Sequence, residues 1–133
     1  MSLIISPDDT RITWQGAISL ERTHHWIMPW RIPYEDRTLF PPDTLQERAA
    51  MPAGVRISFR SNTSILAGHI EPYPETTLQE YPTRYLDLFC DGHFQHSVDL
   101  ARQHSFAFQN LSPEEKLIEL WLPQHSEFRL KSL

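Results

Sequence analysis

The chain has 133 residues, with 17 acidic and 12 basic side chains, for a net charge of −5 with histidine neutral. Its length predicts one domain over 1–133, able to bury roughly two-thirds of its unfolded surface; 40% hydrophobic and 11% aromatic residues supply that core and exclude disorder. The acidic balance argues against a nucleic-acid partner, and no apolar run approaches the roughly 20 residues of a membrane helix.

Eleven prolines against four glycines fall between the apolar segments, leaving little room for long helices. Ile12, Trp14, Gly16, Ile18 and Leu20 alternate with polar neighbours, the period of a half-buried strand. His25-Trp26-Ile27-Met28 predicts a second strand, ended by Pro29, and residues 30–42 read as a long loop. Asp43 is placed to cap one short helix over 44–50, stopped by Pro52-Ala53-Gly54. Val55, Ile57 and Phe59 alternate with Arg56, Ser58 and Arg60 in the cleanest strand, with a turn at 61–64 and a partner strand over 65–71. Residues 72–82 form a proline-broken acidic loop. Tyr85 to Cys90, Asp91-Gly92, then His93 to Leu100 spells a hairpin, since Asp-Gly suits a type I′ turn. Phe106 and Phe108, then 116–122, then Phe128 onward complete the pattern. Eight or nine short antiparallel strands, at most one short helix and no βαβ rhythm predict an all-β sandwich or barrel.

Motifs that carry chemistry are scarce. No glycine has a partner at the Gly-x-Ser-x-Gly spacing, and the isolated glycines exclude phosphate-cradling loops. The single Cys90 makes neither an internal disulfide nor a cysteine zinc site. Leu3-Ile4-Ile5 is too short for a signal peptide, so a cytoplasmic address is the default. His24-His25 and His93-x-x-His96 would point to opposite faces of a strand, which argues against a metal site at either pair. A two-residue turn at Asp91-Gly92 would set Asp87 opposite His96. That pair reads as a stabilising cross-strand contact, or alternatively as the dyad of a small hydrolase, for which no nucleophile is in place. Trp26, Trp30 and Tyr34 gather aromatics near a loop. They suit either a sugar-stacking platform or a covered sheet edge, while Trp121 is expected in the core or at an interface.

Trp30-Arg31-Ile32-Pro33, Arg48 to Arg60, Leu86 to Gly92 and Ile118 to Pro123 together resemble the non-catalytic N-terminal β-sandwich of bacterial SGNH (GDSL-type) esterases and acyltransferases. The resemblance runs in order from about Trp14 to Leu133. It implies a jelly-roll-like sandwich that precedes a catalytic SGNH domain in the same chain and shapes its active site. It also implies an acyl-ester substrate for the parent protein. The catalytic Ser block and the Asp-x-x-His pair of that family are absent here, so no catalytic residue carries over, and neither cofactor nor metal is expected. A free-standing carbohydrate-binding sandwich is the alternative. Trp30, Arg31 and Tyr34, held between Pro29 and Pro33, are the candidate binding residues for a second domain or a sugar.

Overall fold

The structure is a computed structural model, which describes residues 5–39, 50–52, 54–71, 84–101, 103–123 and 128–133. Ten strands lie among the described residues: β1 (Thr13–Gln15), β2 (Ser19–Arg22), β3 (Ile27–Trp30), β4 (Arg56–Ser61), β5 (Leu66–Ile70), β6 (Tyr85–Cys90), β7 (His93–Asp99), β8 (Ser105–Phe108), β9 (Lys116–Trp121) and β10 (Leu130–Ser132). They form two antiparallel five-stranded sheets, ordered β1-β4-β9-β6-β7 and β2-β3-β10-β5-β8. This is the expected all-β sandwich.

Alternation builds the core. Val55, Ile57 and Phe59 point inward with Leu86, Leu88 and Cys90 of β6 and Ile118 and Leu120 of β9; Leu66, Ile70, Phe106, Phe108 and Leu130 answer from the second sheet. Fully burying one such side chain is worth about 1.5–3 kcal/mol relative to leaving it exposed. Arg56 and Arg60 face away, as expected, but Ser58 is also buried, a small side chain flanked in register by Thr13 of β1 and Glu119 of β9.

Several expectations are corrected. The single strand expected over 12–20 is two strands in different sheets, broken at Gly16. The φ of Gly16 is +87°, and a Cβ there would lie 2.7 Å from the Gly54 carbonyl oxygen, so both turn and close approach require glycine. Pro29 does not end β3 but sits inside it opposite Leu20, and pairing with β10 involves only Ile27, so the missing N–H breaks no bond on that side. All four residues of β3 are buried, because its outer face is covered too: Met28 and Trp30 pack with Ala50 in a second, smaller cluster. The loop after Trp30 contains a 3-10 turn over Tyr34–Leu39. The helix expected over 44–50 and the loop over 72–82 lie outside the described residues, apart from Ala50.

The Asp-Gly hairpin forms, with φ of +50° at Asp91 and +81° at Gly92, the signs a type I′ turn requires. Its register is as expected for Cys90 with His93 and Phe89 with Phe94, then shifts at a bulge. Beyond the bulge Leu88 pairs with His96 and Asp87 with Ser97, whose hydroxyl donates to the Asp87 carboxylate. The expected Asp87–His96 pair therefore does not exist, and the hydrolase dyad goes with it. One extra residue in β7 moves every later side chain by one place.

Candidate functional site

The candidate binding residues gather where β3 leaves the second sheet. The β2–β3 register sets Ser19 opposite Trp30 and Glu21 opposite Met28. Trp30 is only 9% exposed, and its indole N–H donates to Glu21 Oε1 at 3.0 Å. Its ring lies 5.5 Å from that of Tyr34, over which the Arg37 guanidinium carbon sits at 4.1 Å. Ser19 fixes the chain's exit from β3 through one hydroxyl. Its Oγ donates to the Ile32 carbonyl and accepts the Tyr34 backbone N–H, both at 2.8 Å. Alternation on β2 and β3 and a single polar anchor thus bring Trp30 and Tyr34 together. Trp30 is part of the covered cluster, Tyr34 is half-buried, and Arg31 is exposed.

Beside them runs a groove of about 850 Å³ between β2 and the 3-10 turn, lined by Ile18, Ser19, Leu20, Arg22, Pro33 and Tyr34 among others. Ile18 is 66% exposed on this groove, and Leu39, at the end of the 3-10 turn, is 73% exposed. Sequence reasoning missed both: Ile18 was assigned to the core face of a strand that in fact breaks at Gly16. The isolated Gly16 inside an alternating run is the sequence signal that marks the break.

The outer face of the first sheet carries the other aromatic group. Trp121 is not in the core; it is half-buried, with the Arg56 guanidinium carbon 4.7 Å from its ring and Phe89 at 6.1 Å. Phe89 in turn meets Phe94 edge-on at 5.6 Å, and Phe94 is itself mostly exposed.

Few groups are tuned for chemistry. Burial pushes the Cys90 thiol above its usual range, nearby Lys116 opposes this, and Asp91 adds to it, so the thiol is not an activated nucleophile. The Asp9 carboxyl is held down at about 2 by the Arg11 guanidinium and backbone N–H, an exposed pair at the entrance to β1. Among the described residues no three His, Cys, Asp or Glu side chains are grouped to hold a metal ion.

The described residues thus form a two-sheet sandwich with a covered aromatic cluster on its second sheet. The chain belongs to the family described as the SsfX3 N-terminal domain, whose model matches residues 12–131. A solved structure described as salicylyl-acyltransferase SsfX3 from a tetracycline biosynthetic pathway is similar over 98% of this chain, with 32% identity and a TM-score of 0.85. The match covers 38% of that protein's chain. No curated protein matches.

These findings overturn the expected membership in the SGNH/GDSL-type hydrolases: both the family and the similar structure are those of the SsfX3 acyltransferase. They lend no support to the free-standing carbohydrate-binding sandwich either. The motifs behind the expectation explain the error. Trp30 to Pro33 is the end of β3 and its exit, Leu86 to Gly92 is β6 and its turn, and Ile118 to Pro123 is β9 and its end. Strand and turn signatures of this kind report a sandwich and carry no activity.

Proposed function

We propose that this chain serves as the N-terminal β-sandwich domain of an acyltransferase that moves an aromatic acyl group in natural-product biosynthesis. The observation that carries the reading is the likeness to salicylyl-acyltransferase SsfX3, which spans 98% of this chain yet only 38% of that one. The sequence supplies no nucleophile elbow, which supports a role in positioning rather than in bond-making. The groove at Ile18 and Tyr34, with Arg31 and Leu39 beside it, is the surface this reading assigns to contact with the rest of such an enzyme. Exposed apolar side chains next to an arginine suit an interface centre. No helix among the described residues is long and apolar enough to cross a membrane. A cytoplasmic address, where a lone thiol such as Cys90 stays reduced, belongs to the same reading.

The test is acyl transfer from a salicylyl thioester to a tetracycline-type acceptor. The protein carrying this domain should form the ester, and the 133-residue chain alone should not. Ile18→Glu in the full protein should reduce turnover at least about tenfold, a loss near 1.4 kcal/mol, while leaving the melting of the isolated chain unchanged. Absence of transfer by the full protein with any aromatic acyl thioester overturns the reading.

A further inference from the structure

At the opposite end of the second sheet lies a second groove, of about 550 Å³, lined by His24, His25, His69, His104, Lys131 and Ser132, with Ile70 at its base. Four of the chain's seven histidines meet there with one of its only two lysines. The other lysine, Lys116, is buried on the far sheet, so Lys131 is the exposed one. These side chains come from four places in the fold. His24 and His25 sit in the turn between β2 and β3, His69 on β5, His104 just before β8, and Lys131 with Ser132 on β10. The sheet order places β3, β10, β5 and β8 side by side, and Ser132 pairs directly with His69. The backbone N–H of Ile70 donates to the His104 carbonyl, tying the last of these segments to β5.

Among the described residues no carboxylate lines this groove, although the chain carries a net charge of −5. Among the described residues the charged groups on or next to the same elements are Arg22, Arg129, Glu71 and Glu21, the last of which accepts the Trp30 indole N–H. Arg129 stacks on Trp26 at 5.0 Å, and Glu71 touches Lys131 at 3.9 Å with both side chains more than 40% exposed. An ion pair that open is worth little and yields readily to another anion. A cation would need three ligands converging on one point, and no such group exists among the described residues. Donors spread around a concave wall instead suit an anion with oxygens pointing several ways.

We propose that this groove is a binding site for a phosphate group carried on a small molecule. Lys131 supplies the standing positive charge, His69 and His104 supply N–H donors from β5 and the β8 approach, and His24 and His25 close the β3 side.

Inorganic phosphate titrated into the isotope-labelled chain tests this by NMR. Saturable shifts should centre on His69, His104 and Lys131. The His69→Gln/His104→Gln double variant, and separately Lys131→Gln, should lose most of the binding while the melting temperature stays put. His93→Gln/His96→Gln on β7, outside this groove, should bind as the parent does. Shifts that do not saturate, equal binding of acetate, indifference to the groove variants, or tight stoichiometric binding of zinc at the same residues would each overturn the proposal.

Discussion

Lys116 shows how a charge is held inside the sandwich. It is 3% exposed, and its ammonium donates to the carbonyls of Ser112 at 2.6 Å and Thr63 at 2.7 Å, with Glu114 at 3.4 Å. The side chain occupies an inward position at the start of β9 and reaches out past the core to close the loop ends on either side. Lys116→Met keeps the apolar stem but leaves those carbonyls without a donor. It should cost about 2–4 kcal/mol by chemical denaturation, since each stranded buried acceptor is worth about 1–3 kcal/mol. Glycine positions allow a sharper comparison. Gly92 has φ of +81° with open space where a Cβ would go, so Gly92→Ala should cost only the backbone penalty, about 1–2 kcal/mol. Gly16→Ala adds a clash with a backbone oxygen to the same penalty and should cost clearly more. Equal losses in urea would show that the Gly16 turn relaxes freely.

At the scale of elements, the hairpin of β6 and β7 separates what was legible from what was not. Asp-Gly between two alternating runs announces the turn, because it is one of the few dipeptides that tolerate two positive φ values in a row. The bulge between Leu88 and Phe89 was not legible, since β7 is exposed over most of its length and no apolar pattern marks its register. The consequence is measurable. Ser97→Ala should cost about 0.5–1.5 kcal/mol through its lost bond to Asp87, whereas His96→Ala should change stability by less than about 0.5 kcal/mol. The reverse order would restore the simple register. On β4 the alternation was strong because one face packs against the opposite sheet. Phe59→Ala should accordingly cost about 3–5 kcal/mol, with Arg60→Ala near zero. β3 escaped that logic, because residues buried on both faces carry no alternation to read. The histidine groove was equally invisible. His24 and Lys131 stand far apart in sequence and become neighbours only through a strand order that local pattern does not encode.

For the whole molecule, the decisive element is the last, and one of the two shortest. β10 spans only Leu130–Ser132, yet it is the central strand of the second sheet, with β3 on one side and β5 on the other. The alternation of Phe128 and Leu130 predicts a final strand, but nothing local distinguishes an edge strand from a central one. Leu130 is fully buried, pairs with both Ile27 and Ile70, and carries the register contact between β10 and β3. Leu133 extends the seam by exchanging backbone hydrogen bonds with Ile5 at 3.0 and 3.2 Å. Without this segment the second sheet falls into two separate pairs, β2-β3 and β5-β8, and an isolated two-stranded hairpin is at best marginal in water. Loss of the two leucines alone removes about 3–6 kcal/mol of burial, comparable to the 5–15 kcal/mol by which a domain is stable. Deleting residues 129–133 should therefore abolish the cooperative melt and collapse the dispersion of the amide NMR spectrum. Leu130→Ala, which keeps the backbone ladder, should retain a cooperative transition at a cost of about 2–5 kcal/mol. A truncated chain that still melts cooperatively, within about 1 kcal/mol of the parent, would show that the first sheet and the β5-β8 pair hold the sandwich together without the seam.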